Sequence, residues 1–286
     1  MPDNNIKLIE CPRDAMQGWK TFIPTAQKVE YLNTLLQVGF DTLDCGSFVS
    51  PKAIPQMADT AEVLGQLKMD TTATKLLVIV ANERGAAEAV QHEQVSYLGF
   101  PFSVSPTFQQ RNTNSTPEES LARVEAIQNL CIRHNKQLVV YLSMGFGNPY
   151  GDPYNEEIVL QWVNALLKND IRILSLADTV GLATAEQVYT MTRHLITSLP
   201  AIEIGVHLHS TPDNWRSKMD AALRAGCTRF DGALKGVGGC PMANDELVGN
   251  MDTEKMIGWL GQQNRLPALD QAALIQSLIL ANRIFN

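Results

Sequence analysis

Two histidines, His207 and His209, stand one residue apart in "GVHLHSTPDNW" (205–215), in a chain that has only five histidines. The run around them is apolar and strand-like. In an extended strand, residues i and i+2 share a face, so both imidazoles point the same way. Neutral imidazole suits divalent metals, and the pair reads either as two metal ligands or as two satisfied histidines on a core wall. Arg13 and Asp14 follow another apolar run in "CPRDAMQ" (11–17). They read as a simple ion pair, or as a fixed cation for a developing oxyanion beside a hard oxygen ligand. Asp178 in "LADTVG" (176–181) is either a turn residue or a carboxylate at a site. "KGVGGCPMAN" (235–244) brings three glycines up to Cys240. That is a flexible loop with an incidental thiol, or a lid that carries an acid–base thiol. Asp44 and Ser47, in "LDCGSFVSPKAIPQMAD" (43–59), are weak candidates on their own.

These residues matter only if one fold gathers them. Eight short β-branched runs, at 6–11, 42–49, 75–81, 95–100, 138–144, 171–177, 202–209 and 229–234, read as strands. Amphipathic segments separate them, at about 24–38, 56–67, 84–92, 117–134, 155–169, 184–198, 214–225 and 253–264. In the clearest of these, Thr116 is the N-cap, Pro117 takes the first helical position, and Leu121, Val124, Ile127 and Leu130 form a stripe. Eight strand–helix units predict a single-domain (β/α)8 TIM barrel over 1–286, with an extra C-terminal helix in 268–286 packed on the barrel or on a partner. A doubly wound open sheet is the rival. Its dinucleotide-binding version is weakened because no G-x-G-x-x-G follows the first strand. In a barrel, chemistry sits at the C-terminal ends of the strands. Asp14, Asp178, His207, His209 and Cys240 all fall after strands. Two imidazoles, a carboxylate and water suit Mg²⁺ or Mn²⁺ better than a structural zinc site.

Bulk properties narrow the function class. The chain is 45% hydrophobic and 19% charged over 286 residues, enough for a large core. A net charge of −7 disfavours nucleic acid or an anionic membrane as partner. Five cysteines without paired spacing fit a reducing compartment, and the N-terminus lacks signal or transit character, so a cytoplasmic location is expected. No apolar run is long enough to span a bilayer.

The chain resembles the 3-hydroxy-3-methylglutaryl-CoA lyases of the DRE-TIM metallolyase superfamily nearly end to end. "PRDAMQ" (12–17), "SFVSPKAIPQMAD" (47–59), "NSTPEES" (114–120), "LADTVG" (176–181), "VHLH" (206–209), "GVGGCP" (236–241) and "GNMDTE" (249–254) carry the likeness. "SFVSPK" and "GGCP" point to the lyases rather than to the superfamily's Claisen-type synthases. The resemblance implies a metal, Mg²⁺ or Mn²⁺, held by Asp14, His207, His209 and Asn250. It also implies an acyl-CoA substrate contacted by Arg13, Gln17, Asp44 and Ser47, and a homo-oligomer, dimer or larger. The implied reaction is retro-Claisen cleavage to acetyl-CoA and acetoacetate. A base, His207 or Asp178, takes the proton of the tertiary hydroxyl. Arg13 and the metal stabilise the enolate oxygen, and Cys240 protonates the enolate carbon.

This sequence departs from the pattern at several positions. "RDGLQ" is "RDAMQ", a glutamate becomes Asp44, and the first-strand glutamate gives way to Ile9 with Glu10 beside it. An arginine becomes Val139, the acidic residue after the histidines becomes Ser210, and the spacing from Cys240 to Asn250 is one residue longer. These changes keep open a related lyase or aldolase acting on another 3-hydroxyacyl-CoA or a 2-oxo acid.

Overall fold

All eight runs form strands, and the strands close into a parallel barrel in sequence order. The structure, a computed structural model, describes residues 6–239 and 248–286. The strands are β1 (Lys7–Glu10), β2 (Thr42–Ser47), β3 (Lys75–Ile79), β4 (Val95–Ser103), β5 (Gln137–Ser143), β6 (Ile173–Ala177), β7 (Glu203–His207) and β8 (Arg229–Gly232). β1 pairs with both β2 and β8, which removes every free edge and the open-sheet alternative with it. The main core lies between the outer strand faces and the helices. A second apolar cluster of Leu77, Tyr97, Val139, Tyr141 and Ile173 is drawn from β3 to β6.

The amphipathic segments are helices α2 (Thr25–Leu35), α3 (Thr60–Leu64), α4 (Glu83–Ala89), α6 (Pro117–Arg133), α7 (Glu156–Lys168), α8 (Ala185–Ser198), α9 (Trp215–Ala225) and α10 (Thr253–Gln262). Thr116 and Glu119 form a reciprocal capping box at the start of α6, as the Thr-Pro-Glu-Glu pattern foretells. Three differences have local causes. The helix expected over 56–67 is split into a 3-10 turn (Pro55–Met57) and α3, and between them Asp59 accepts from Lys28 and Thr25. α5 (Pro106–Thr113) is an added helix, started by the Ser105 cap and Pro106 but too polar to show an apolar stripe. Residues 12–17 form α1 (Pro12–Gln17) rather than a loop.

The C-terminal extension is α11 (Gln271–Ile284), and it packs on the barrel's own helix α2. Phe285 meets Trp19 and Tyr31 edge-on, and Asp270 N donates to Val38 O. Among the described residues no helix is long and apolar enough to cross a membrane.

Glu10 ends β1 fully buried; its carboxylate accepts from Leu234 N at 2.8 Å and Thr253 Oγ1 at 2.6 Å. Burial pushes its pKa from 4.5 up to about 8, against those two bonds. The folded state therefore binds this proton more tightly than the unfolded chain does. The stability it contributes is complete below about 4.5 and is lost as pH rises through about 8. Urea melts between these limits are expected to show stability falling with pH in the wild type and a flatter profile in Glu10→Gln. Parallel profiles would remove Glu10 from the pH response.

Candidate active site

Helix α1 turns back over the C-terminal mouth of the barrel immediately after β1. One helical turn brings Arg13, Asp14 and Gln17 together there. Arg13 Nη1 donates to Asp14 Oδ1 at 3.0 Å and to Gln17 Oε1 at 2.8 Å, and Gln17 Nε2 donates to Asp14 Oδ1 at 2.7 Å. Nε and Nη2 of Arg13 both donate to Asp44 within β2. Asp44 thus reaches the guanidinium despite its shorter side chain. Burial lifts Asp44 to about 6 against the pull of Arg13, so the pair is ionised above that pH. Burial also disfavours the Asp14 carboxylate, yet Arg13, the two histidines and Asn250 hold its pKa down at about 2.

β7 delivers His207, and His209 follows two residues later on the same side. Ligand atoms of Asp14, His207 and His209 all lie within 4.8 Å of one another. His207 Nδ1 is 3.2 Å from Asp231 Oδ2, and His209 Nδ1 is 2.7 Å from Val248 O. A carbonyl or a carboxylate oxygen can only accept, so each Nδ1 bears the proton. In the neutral ring each Nε2 then keeps its lone pair for a metal. Burial lowers the pKa of both rings. The bond and charge of Asp231 outweigh it and raise His207, while the neighbouring His207 lowers His209 further.

Asn250 comes from a segment far along the chain. Its backbone bridges His209, Met251 N donates to Leu208 O, and Ser210 N donates to Gly249 O. Its Nδ2 donates to Asp14 Oδ2 at 2.7 Å and to Val237 O at 2.9 Å. Its Oδ1 is buried and has no partner among the described residues. An orphaned carbonyl oxygen beside a carboxylate and two Nε2 atoms is a hard O₂N₂ donor set, and it fits Mg²⁺ or Mn²⁺. Gly238 lets the loop come this close: its φ is +103°, and a Cβ would meet Asn250 Nδ2 at 2.5 Å and Asp14 O at 2.8 Å.

The cavity above these residues is about 420 Å³, and Arg13, Asp14, Gln17, Ser47, Tyr141 and His207 are among its lining. Asp178, His209 and Asn250 lie behind that lining rather than in it. Asp178 pairs with buried Lys218 at 2.6 Å and accepts from Ala183 N, and Lys218 also donates to His209 O. Cys240 lies outside the described residues. Of the departures, Val139 belongs to the apolar cluster, Glu10 sits with Leu234 N and Thr253, and Ser210 Oγ is 3.7 Å from Met251 Sδ.

Lys218, Asp231 and Tyr141 were not foreseen. Asp231 left one signal, a charged residue two positions from Arg229 inside an otherwise apolar strand. Lys218 left none, since a lysine on a surface helix is ordinary.

The arrangement could hold a divalent metal beside a fixed guanidinium at one end of a largely apolar cavity. Residues 5–279 match the family described as HMGL-like. The chain belongs to the HMGL-like family. A hydroxymethylglutaryl-CoA lyase of Bacillus subtilis is 33% identical over 256 residues, 88% of this chain and 84% of that protein. A cytoplasmic 3-hydroxy-3-methylglutaryl-CoA lyase of Rattus norvegicus is 32% identical over 253 residues, 88% and 73% of the two chains. Among solved structures, an HMG-CoA lyase of Acinetobacter baumannii, in complex with coenzyme A and 3-methylmalate, superimposes with a TM-score of 0.92 at 30% identity, covering 100% of this chain and 93% of that one. This HMGL-like chain therefore shares the family's barrel from end to end.

Proposed function

We propose that this HMGL-like protein is a divalent-metal-dependent carbon–carbon lyase that cleaves 3-hydroxy-3-methylglutaryl-CoA to acetyl-CoA and acetoacetate. The observation that carries the reading is the cluster of Asp14, His207 and His209, with Asn250 bonded to Asp14, beside Arg13, where Arg13, Asp14 and His207 line one cavity. Those four residues would hold Mg²⁺ or Mn²⁺. Such an ion supplies Lewis acidity that acidifies the substrate hydroxyl and stabilises enolate charge.

The side chains divide the remaining work. Arg13 has five N–H bonds, and four have acceptors in Asp44, Asp14 and Gln17. The fifth, on Nη2, is left for the thioester oxygen that gains charge as the carbon–carbon bond breaks. Asp44 and Gln17 hold the guanidinium still, so little reorganisation accompanies that charge. The tertiary hydroxyl gives up its proton as the carbon–carbon bond breaks; we place that proton on water at the cavity mouth, because the one lone pair that His207 has beyond its bond to Asp231 would serve the metal. Asp178 acts through Lys218, whose ammonium grips the His209 carbonyl, and so positions a ligand. Ser47 lines the cavity beside the substrate, and Cys240 is the acid that protonates the enolate carbon.

Acetoacetate release from 3-hydroxy-3-methylglutaryl-CoA with Mg²⁺ or Mn²⁺, with and without chelator, tests the reading. Metal-dependent turnover is expected, and none in the presence of bound metal would sink this substrate. A second reading, another 3-hydroxyacyl-CoA or a 2-oxo acid, is favoured by one observation: Val139 sits in an apolar cluster where the family pattern has a cation. For Cys240→Ser, metal affinity is expected to hold while most of the rate is lost. Unchanged turnover would remove the thiol from the mechanism.

A homo-oligomer belongs to the same reading, and sedimentation velocity tests it. So does a reducing, cytoplasmic setting, which the four described cysteines support by being buried and unpaired.

A further inference from the structure

One level of the barrel interior holds more hydrogen-bonding capacity than the protein itself satisfies. Tyr141, Ser175, Gly205 and Arg229 are successive Cα partners across β5, β6, β7 and β8. The next level up holds Ala177, His207 and Asp231. Residues two apart on a strand share a face, so Arg229 lies on the same side as Asp231 and one level below it. Arg229 is fully buried, and its Nη1 donates to Glu203 Oε1 at 3.1 Å. Among the described residues its Nε and Nη2 have no acceptor, and Tyr141 OH, Ser175 Oγ and Asp231 Oδ1 have no partner either. Gly205 makes the room: a Cβ there would stand 2.8 Å from Arg229 Cδ and 2.9 Å from its Cγ. The guanidinium carbon is 5.9 Å from the Tyr97 ring centre on β4, so the side chain reaches across the interior.

Leaving five such atoms unbonded would cost a sizeable share of a domain's stability. An anion is a poor occupant, because Glu203 and Asp231 already face this cation. Water joins donor-only to acceptor-only groups, which is what a guanidinium and a carboxylate oxygen require. We propose that ordered water at this level joins Arg229 to Asp231, Tyr141 and Ser175, making Arg229 a positioning residue for His207. Asp231 grips His207 Nδ1 with Oδ2 alone, and a water bridge from Arg229 to Oδ1 stops that carboxylate from turning. The ligand role of His207 rests on the proposed function; the water cluster does not.

Two measurements test this. A high-resolution crystal structure of the metal-free protein is expected to show water within hydrogen-bonding distance of Arg229 Nε or Nη2, and a dry interior overturns the proposal. Mn²⁺ binding followed by electron paramagnetic resonance across pH is the second. Arg229→Met is expected to weaken Mn²⁺ about 10-fold or more and to shift the pH profile of binding, with partial recovery in Arg229→Lys. Leu77→Ala, a packing control in the same interior, is expected to lose stability but keep both. If Arg229→Met binds Mn²⁺ as the wild type does and only melts earlier, the positioning role is overturned. If Arg229→Met does not fold, the Lys variant and the crystal structure decide. A wild type that binds no Mn²⁺ sinks the proposed function, while the crystal structure still judges the water.

Discussion

His209→Ala is expected to fold normally and to lose Mn²⁺ affinity by more than about 100-fold, beyond the cost of removing an outer partner. Binding titrations on protein with unchanged circular dichroism check this. His209 is 2% exposed and stands against Asp14 and His207, so its removal leaves three ligands and a hole that water fills poorly. Turnover is expected to vanish with the metal, in this variant and in chelated wild type, and to return to the wild type alone on adding Mg²⁺ or Mn²⁺. Acid is expected to act in the same direction. Asp231 makes His207 hold a proton more tightly than an ordinary histidine, so proton and metal compete from a higher pH than usual. Apparent affinity should fall as pH drops through that value and be fully present above it. An affinity flat between pH 8 and 5 would contradict imidazole ligation.

Arg13→Met is expected to lower kcat by about 100- to 1,000-fold, by analogy with the loss of an oxyanion-hole donor, and to change KM much less. The same change strands Asp44, which is 1% exposed and would keep an uncompensated buried charge or take up a proton. Stability is therefore expected to drop as well, by about 3–5 kcal/mol for a broken buried pair. The double variant Arg13→Met/Asp44→Asn separates the two effects. Removing the stranded charge is expected to restore much of the melting temperature and none of the rate. Recovery of rate along with stability would make Arg13 a structural cation only.

What could be read in the chain follows from period and parity. A two-residue repeat puts His207 and His209 on one face whatever the fold, and eight alternating strand and helix patterns leave few closed topologies. The motif resemblance added Asn250, for which no spacing argument exists. Asn250 has no periodic pattern around it, and only the pairing of residues 249–251 with 208–210 sets it beside Asp14. Helix α1 was hidden because six residues are too few to show a 3.6-residue period.

Polar partners are the part that the linear order leaves open, because they are set by which strands become neighbours. Asp231 reads as an odd charge in β8 until barrel closure sets it opposite His207. Asp178 has no visible partner in the sequence, and α9 brings Lys218 onto it. The sequence by itself determined the elements, the shared face of the two histidines and the kinds of donor available. Tertiary structure decided which donor meets which, since a hydrogen bond or an ion pair depends on separations of a few tenths of an ångström between residues up to 243 positions apart.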